Sequence, residues 1–539
     1  MRVLVTEPLS EPGLEVLREA GDVDVRAGLS PEDLAVAIGA YDALVVRSAT
    51  KVTASLLDAG CRLRVVGRAG TGVDNIDVAA ATRRGIVVVN APAGNSNAVA
   101  EHTIALMLAL ARRIYPAVAS LKAGRWEKRS LEGFEVKDKT LGLVGLGRIG
   151  MLVASKARGL EMRIVAYDPY VSAERVASAG VELAPLEEVL RRADFVSVHT
   201  PLSPDTRGMI GARELAILKP TAYVLNCARG GIVDEGALRG ALERGDIAGA
   251  ALDVFEEEPA TDSPLVGLPN VIVTPHLGAS TAEAQEHVAL DVARAVADVL
   301  AGRIPESPVN LPYVPPKAFE FLQPYIDLAS RLGSFFVQWR GELLGRLELV
   351  YEGEICEYDT RVLTSAFLAG LLEPVSATPV NMVNAAQHAE DRGLVVSEAR
   401  LGRGTRFGSL ITARFAGTPE PKDISGALVQ GEPHLVGLDG QRLDCIAQGR
   451  MLVDLHHDRP GIVGRMGQIL GQADINISFV QMSRVSRGGP SIMILGLDEI
   501  VPPALMPRFL EVTNVQRVPG GRCVGASGRA AIDMACRMH

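Results

Sequence analysis

Apolar positions up to about Leu300 fall into short β-branched runs separated by amphipathic stretches. The runs RVLVTE, ALVVRS, LRVVGRAG and IVVVN come first. After a long helical pattern around Ala98 to Arg113 a second series follows: LGLVG, RIVAYD, FVSVHT, AYVLNCA, GAALDV and VIVTPH. Near-continuous apolar strands alternating with helices are the pattern of parallel sheets, because crossover helices cover both faces. Two α/β units are therefore expected, one before the long helix and one after it. Thr281 to Leu300 reads as a further helix with an apolar stripe, and the proline-rich AGRIPESPVNLPYVPPK after it marks a boundary.

Beyond that linker the pattern changes twice. Residues 318–449 mix an aromatic-bearing helix, AFEFLQPYIDLASRLGSFFVQW, with strands such as GRLELVYEGEI and GSLITARFAG, which predicts an α+β unit. From Met451 the order is strand (MLVDLHH), turn (DRPG), helix (IVGRMGQILGQA), strand (INISFVQMSRV), strand (SIMILGLDE), helix (PALMPRFLEV) and a short closing VQRV. That is a ferredoxin-like βαββαβ module. The glycine-rich ending after it is expected to be flexible.

At 539 residues the chain needs several cores, at roughly 150 residues per domain. The net charge of -9 disfavours a general affinity for nucleic acid or an anionic membrane, so an anionic ligand must be met by a local basic pocket. The six cysteines are never spaced as CxxC; neither a metal site nor a disulfide framework is expected, and a reducing, cytoplasmic setting fits. The longest apolar run, TIALMLALA, is about half a bilayer span, and no signal peptide is expected.

The clearest chemistry lies in TLGLVGLGRIG. Gly145, Gly147 and Gly150 form GxGxxG directly after a strand and before a helix, the context in which glycines make a tight turn and let backbone approach a pyrophosphate. Asp168 ends the next strand, where a carboxylate can accept both adenine-ribose hydroxyls and repel a 2′-phosphate. This favours NAD over NADP. The late start of the fingerprint is explained if a dinucleotide domain, 98–285, is inserted into another α/β domain made of 1–97 and 286–312, with a cleft between them.

Hydride transfer to or from a hydroxy acid needs a cation for the carboxylate and an acid/base for the hydroxyl proton. Arg229 in NCARGG, Glu258 in DVFEEEP and His276 in TPHLGAS follow predicted strands, where open α/β sheets bind ligands. A lone strand-end histidine or a glutamate in an acidic run is usually structural. The fingerprint and the shared strand-end placement make that reading improbable for all three.

LGLVGLGRIG, NCARGGIVDE, ALDVFEEEP and PHLGAS, in that order, resemble the D-isomer-specific 2-hydroxyacid dehydrogenases. The resemblance implies a Rossmann-type NAD-binding domain inserted in a flavodoxin-like substrate domain. Arg229 would bind the substrate carboxylate, His276 would be the general base, and Glu258 would orient it. Further NAD contacts are implied at Thr71, Arg148, Ile149, Thr200, Cys227, Asp253 and Gly278.

VVRSATKVT, GRAGTGVDNID and APAGNSNAVAEHT are similar to the substrate loops of family members that act on 3-phospho-D-glycerate in serine synthesis. Arg47, Lys51, Arg68 and Arg129 would then supply charge for a phosphate, with Ser48, Gly72 and Asn95 in the same loops. Arg129 lies in a loop that in this family reaches a neighbouring subunit, so a homo-oligomer is expected. DRPGIVGRMGQILGQADINI resembles an ACT domain (450–518, with 519–539 as flexible tail), a module that binds small ligands at subunit interfaces. Asp458 and Asn476 match the positions that hold L-serine, although His456 and His457 just before them depart from the pattern. The region 318–449 resembles the extra, intervening domain of long family members. Rival readings are a dehydrogenase for another acid, such as 2-hydroxyglutarate, and an NAD-sensing corepressor; a pure sensor has no need of Arg229, Glu258 and His276 together.

Overall fold

The computed structural model describes every residue except 173, 175, 177, 341–344, 403–405, 417–422, 514–528 and 534–539. The first sheet contains β1 (Arg2–Val5), β2 (Asp22–Val25), β3 (Ala43–Val46), β4 (Val65–Arg68) and β5 (Val87–Asn90), all parallel, in the order β2-β1-β3-β4-β5. This is the flavodoxin-like order, with its switch point between β1 and β3. Helix Ala282–Leu300 returns to cover one face, placing Val288, Val292 and Val296 against Val65 and Val89 of the sheet and Leu14 and Leu17 of helix Glu11–Ala20. Thr281 starts that helix by accepting the Ala284 N–H, 3.2 Å. Each such buried side chain contributes about 1.5–3 kcal/mol of transfer free energy.

The second sheet contains β6 (Thr140–Val144), β7 (Arg163–Tyr167), β8 (Glu182–Leu183), β9 (Phe195–Val198), β10 (Tyr223–Asn226), β11 (Gly249–Leu252) and β12 (Val271–Val273). Its order, β12-β11-β10-β9-β6-β7-β8, is that of a Rossmann sheet, parallel throughout, reversing between β6 and β9. The long helix spans Ser96–Ala111, two residues earlier than its pattern suggests, and packs on helix Arg148–Gly159 and on β10 and β11. Arg113 then takes a left-handed φ of 51° and the chain bends by 65° into helix Ile114–Lys122. Among the described residues no single helix is long and apolar enough to cross a membrane; this bent pair meets that length and composition only jointly.

The intervening region is a six-stranded sheet of β13 (Arg346–Gly353), β14 (Val395–Leu401), β15 (Ser409–Ala416), β16 (Asp423–Val429), β17 (Glu432–Leu438) and β18 (Gln441–Ile446), in the order β14-β13-β15-β16-β17-β18. Helices Pro316–Arg340 and Arg361–Leu372 pack together, burying Phe335, Phe336 and Phe367. The last module contains β19 (Arg450–His457), β20 (Ile477–Arg484), β21 (Pro490–Leu497) and β22 (Arg529–Asp533), in the antiparallel order β20-β21-β19-β22. Met451, Val453, Ile492 and Ile494 on one face join the intervening core, so the module is not free-standing. Leu452, Met493 and Leu495 on the other face pack under helices Ile462–Gln472 and Met506–Thr513.

The sequence pattern places the closing strand at VQRV, 515–518, which lies outside the described residues, and makes 519–539 a flexible tail. The ferredoxin-like sheet is instead closed by β22, drawn from within that tail and paired with β19 from Arg450↔Asp533 to Asp454↔Arg529. A strand beside β19 satisfies amides and carbonyls that an edge would leave open, and the glycine-rich stretch before it hides this from a sequence pattern.

Candidate active site

The glycine turn sits where β6 meets helix Arg148–Gly159, at the reversal of the second sheet. Gly145 has φ 97°, and a Cβ there would lie 2.8 Å from the His199 carbonyl; a Cβ on Gly150 would lie 2.3 Å from the Gly145 carbonyl. Gly147, by contrast, faces open space. Tight turn, close helix approach and an open face are the three things a pyrophosphate cradle requires. Asp168 follows β7: its Oδ2 accepts the Leu146 N–H at 2.8 Å and its Oδ1 the Tyr170 N–H at 2.9 Å. The carboxylate is thus fixed beside the turn, and each oxygen keeps acceptor capacity for a ribose hydroxyl.

The other NAD candidates come from both α/β bodies. Arg148 and Ile149 form the first helical turn, and Thr200 follows β9 with a buried Oγ1 that has no partner among the described residues. An orphaned buried hydroxyl beside an open glycine turn fits a dinucleotide that brings its own hydrogen-bonding groups. Thr71 donates to the Asn95 amide oxygen at 2.7 Å. Cys227 is buried, which pushes its thiol up to about 12, so it is a neutral wall. His199, on the other side of the turn, is pushed down by burial to about 4 and is neutral.

Asp253 is the fixed anion of the site. Its oxygens accept Thr274 Oγ1 at 2.5 Å, Leu277 N at 2.7 Å and Gly278 N at 2.8 Å, with His102 Nε2 3.3 Å away. Burial alone would raise its pKa, but the bonds from His102, Thr274, Leu277 and Gly278 hold it below the ordinary carboxylate value. Neither His102 nor Thr274 carries a sequence signal; both emerge only because β12 ends beside the long helix.

The reacting groups come together at the strand ends. His276, with a left-handed φ of 54°, places Nδ1 2.9 Å from Glu258 Oε2 and 3.2 Å from Oε1. Its backbone N–H donates to the Asp253 carbonyl at 2.9 Å, and Glu258 Oε1 also accepts the Phe255 N–H at 3.1 Å. With Nδ1 facing a carboxylate, Nε2 is the nitrogen left to take a proton. Arg229, after β10, reaches into the other body: its Nε donates to Asp74 Oδ2 at 3.0 Å and its Nη1 to the Ala228 carbonyl at 2.7 Å. Gly72 makes room for it, since a Cβ there would lie 1.9 Å from Nη2.

A cavity of about 420 Å³ lies between the two sheets, lined by Arg47, Ser48, Arg68, Asn95, Glu258 and His276 among others. Arg68 is mostly buried, and its Nε has no partner among the described residues. Burial, with Arg229 nearby, lowers its pKa to about 10, so an anion placed there would relieve a real electrostatic cost. Ser10, Ser280 and Gln285 also line this space; none stands out in the sequence. Lys51 and Arg129 are exposed and do not line it.

In the last module Asp458 and Asn476 are not brought together. Asp458 accepts Arg484 Nη1 at 2.6 Å and the Gly488 N–H at 3.4 Å, at the turn between β20 and β21, and the Arg484 bond holds its carboxyl below the ordinary range. Asn476 bonds to Asp498 at 2.6 Å and Glu499 at 2.7 Å, past the other end of β21. That strand is eight residues long, which separates the two by on the order of 25 Å. His456 is fully buried beside Asp454, 3.1 Å from Nδ1 to Oδ2, while His457 is exposed.

Three family descriptions match the chain: D-isomer specific 2-hydroxyacid dehydrogenase, NAD binding domain, over residues 104–278; D-3-phosphoglycerate dehydrogenase intervening domain, over 321–439; and ACT domain, over 450–513. A D-3-phosphoglycerate dehydrogenase of Methanocaldococcus jannaschii is 44% identical over 519 residues, covering 96% of this chain and 99% of the relative. One from Bacillus subtilis is 40% identical over 521 residues, covering 96% and 98%. Among solved structures, the TT0316 protein of Thermus thermophilus is 38% identical with a TM-score of 0.54, covering 57% of this chain and 100% of its own. The D-lactate dehydrogenase of Aquifex aeolicus complexed with NAD and lactic acid is 28% identical with a TM-score of 0.51, covering 56% and 96%. The chain belongs to the long-form D-3-phosphoglycerate dehydrogenases of the D-isomer-specific 2-hydroxyacid dehydrogenase family.

Proposed function

We propose that this protein oxidises 3-phospho-D-glycerate to 3-phosphonooxypyruvate, the first step of L-serine synthesis, with NAD as the acceptor. The observation that carries this reading is the cavity that has Arg47, Ser48 and Arg68 together with the His276–Glu258 pair on its walls. The glycine turn, Asp168, Thr200 and Asp253 are the residues that would hold the cofactor, and bound there it supplies the hydride acceptor.

The chain's own groups divide the remaining work. Arg229 grips the substrate carboxylate with the part of its fork not engaged by Asp74 and Ala228. Arg47, Ser48 and Arg68 receive the phosphate, replacing water around a charge that a buried guanidinium can offset. His276 Nε2 accepts the C2 hydroxyl proton as that carbon becomes a ketone. Glu258 keeps Nδ1 protonated and stabilises the imidazolium that results. In the reverse direction the same imidazolium returns the proton to the forming hydroxyl.

The exposed surface supports a homo-oligomer as part of this reading. Ile114, Tyr115, Val118, Leu121 and Trp126 form an exposed apolar stretch beside the turn that carries Arg129. A second copy covering it would bury this surface and bring Arg129 toward the neighbouring cleft. The separation of Asp458 from Asn476 has the same implication for L-serine, whose site would combine Asp458 of one ACT module with Asn476 of another. Millimolar serine should then slow the initial rate, with an effector coupling of about fivefold to a hundredfold, and Asp458→Ala should abolish the response. An unchanged rate in the parent would leave the module as an assembly element.

The substrate assignment is tested by Arg47→Ala. The KM for 3-phospho-D-glycerate should rise about tenfold to a hundredfold while the KM for D-glycerate changes little. Equal effects on both acids would remove the phosphate from that pocket.

A further inference from the structure

Ligand sites in sheets of this kind form outside the carboxyl ends of the strands at the switch point, which in the first sheet falls between β1 and β3. The residues leaving those two ends are Thr6 and Glu7 after β1, and Arg47 to Thr50 after β3. They are bound to each other tightly. Glu7 Oε1 accepts the backbone N–H of Arg47 at 2.9 Å and of Thr50 at 3.0 Å, and Oε2 accepts that of Ala49 at 3.1 Å. Thr6 Oγ1 and Thr50 Oγ1 share a bond of 2.8 Å. From the opposite side, Asn75 Nδ2 donates to the carbonyls of Arg47 at 2.8 Å and Thr50 at 2.7 Å.

Two side chains from separate parts of the chain thus occupy much of the loop's polar backbone, and the Arg47 and Ser48 side chains face the cavity. Three convergent amides are the usual equipment of an anion site; here the anion is the protein's own carboxylate. Burial works against its charge, but the amides of Thr50, Arg47 and Ala49 outweigh that and hold the Glu7 pKa below its ordinary value. The fixed negative charge also lies near the Arg68 guanidinium and offsets part of its repulsion by Arg47 and Arg229.

We propose that Glu7 is the positioning residue of the substrate loop: its carboxylate fixes the Arg47–Thr50 backbone in the shape that presents Arg47 and Ser48 to the phosphate end of the substrate. This rests on the reading of Arg47 and Ser48 as that phosphate's site. Glu7 is not among the residues lining the cavity, so its removal should act on substrate affinity through the loop and leave cofactor affinity alone.

The test compares Glu7→Ala, Glu7→Gln and Arg47→Ala in the full-length protein by steady-state kinetics. Glu7→Ala should raise the KM for 3-phospho-D-glycerate about tenfold or more, with kcat at saturation and the KM for NAD within about threefold of the parent. Glu7→Gln keeps one acceptor oxygen but sets an amide group against one of the loop N–H groups, so its KM should rise severalfold, between the parent and Glu7→Ala. A purely structural role predicts instead a lower melting temperature with unchanged KM, or an equal fall in kcat and cofactor affinity; either overturns the proposal. Glu7→Gln, nearly isosteric, carries the test if Glu7→Ala does not fold, and an unchanged KM in it is likewise fatal. Arg47→Ala separates the layers: a raised KM there with parental KM in both Glu7 variants sinks the Glu7 role alone, whereas no change in any of the three sinks the phosphate site as well.

Discussion

Arg229 of the dinucleotide-binding body and Asp74 of the substrate body are joined across the cleft, Nε to Oδ2 at 3.0 Å, by residues 155 positions apart in the chain. The bond holds the plane of the guanidinium proposed to meet the substrate carboxylate, and it links the two bodies across the cleft. Asp74 is two-thirds exposed, so the pair itself stabilises the fold by no more than about 1 kcal/mol. Asp74→Ala should therefore barely move the melting temperature, yet lower kcat/KM about threefold to thirtyfold, mostly through KM, because a misaimed fork loses bidentate geometry. Parallel thermal melts and initial-rate measurements check it; an unchanged kcat/KM would make the contact incidental.

The His276–Glu258 pair sets the second expectation. His276→Ala should lower kcat by about two to four orders of magnitude. Fluorescence titration should show NADH binding intact, since the glycine turn and Asp168 lie on other strands. Glu258→Gln should cost less than His276→Ala because the imidazole remains, held by a neutral partner that stabilises its charged form poorly. Near-normal turnover in His276→Ala would remove it from the mechanism.

Asp168 sets the third expectation, on the choice of cofactor. Replacing it with alanine removes a carboxylate fixed by the Leu146 and Tyr170 amides, so charge-assisted bonds to the ribose are lost along with repulsion of a 2′-phosphate. The kcat/KM with NAD should fall about tenfold to a hundredfold, and the preference for NAD over NADP should shrink. Measuring both cofactors with the same acid substrate checks it, and an undiminished preference would place the selectivity elsewhere.

Asp253 links the site to stability at low pH. Its folded pKa lies below the ordinary value of 3.8, so the unfolded chain takes up its proton first as pH falls. The stability it contributes is complete above the ordinary carboxylate range and is lost as pH drops through the lower folded value. Asp253→Asn should be less stable than the parent at neutral pH, by roughly 1–3 kcal/mol for an amide N–H left opposite a donor. The gap between variant and parent should narrow below about pH 4, where melting curves recorded against pH would show it. A constant gap would mean that Asp253 is not the titrating group.

How much of this was legible in the sequence depended on where each residue sits. Gly145 and Asp168 directly follow β6 and β7, Arg229 and His276 lie three residues past β10 and β12, and Glu258 lies in the loop after β11, each inside a local motif that can be read from the sequence. Asp74, Glu7, His102 and Thr274 act through bonds to residues far away in the chain: Glu7 reaches Thr50, and His102 meets Thr274, 172 positions on. A single polar residue in a loop has no period, and its partner is set by topology. The same is true of β22, whose pairing with β19 bridges a glycine-rich stretch that no periodicity crosses. Asp458 and Asn476 stand in one motif, but the distance between them was not readable from it: helix Ile462–Gln472 carries the chain to the opposite end of the sheet.

The substrate is decided by the rate of NADH formation from 3-phospho-D-glycerate compared with D-glycerate and D-2-hydroxyglutarate, measured with the same enzyme and NAD. A cavity walled by Arg47, Ser48 and Arg68 predicts a kcat/KM for the phosphorylated acid at least about tenfold above either of the others. Turnover of an unphosphorylated acid alone would keep the fold and the His276 chemistry and contradict the substrate.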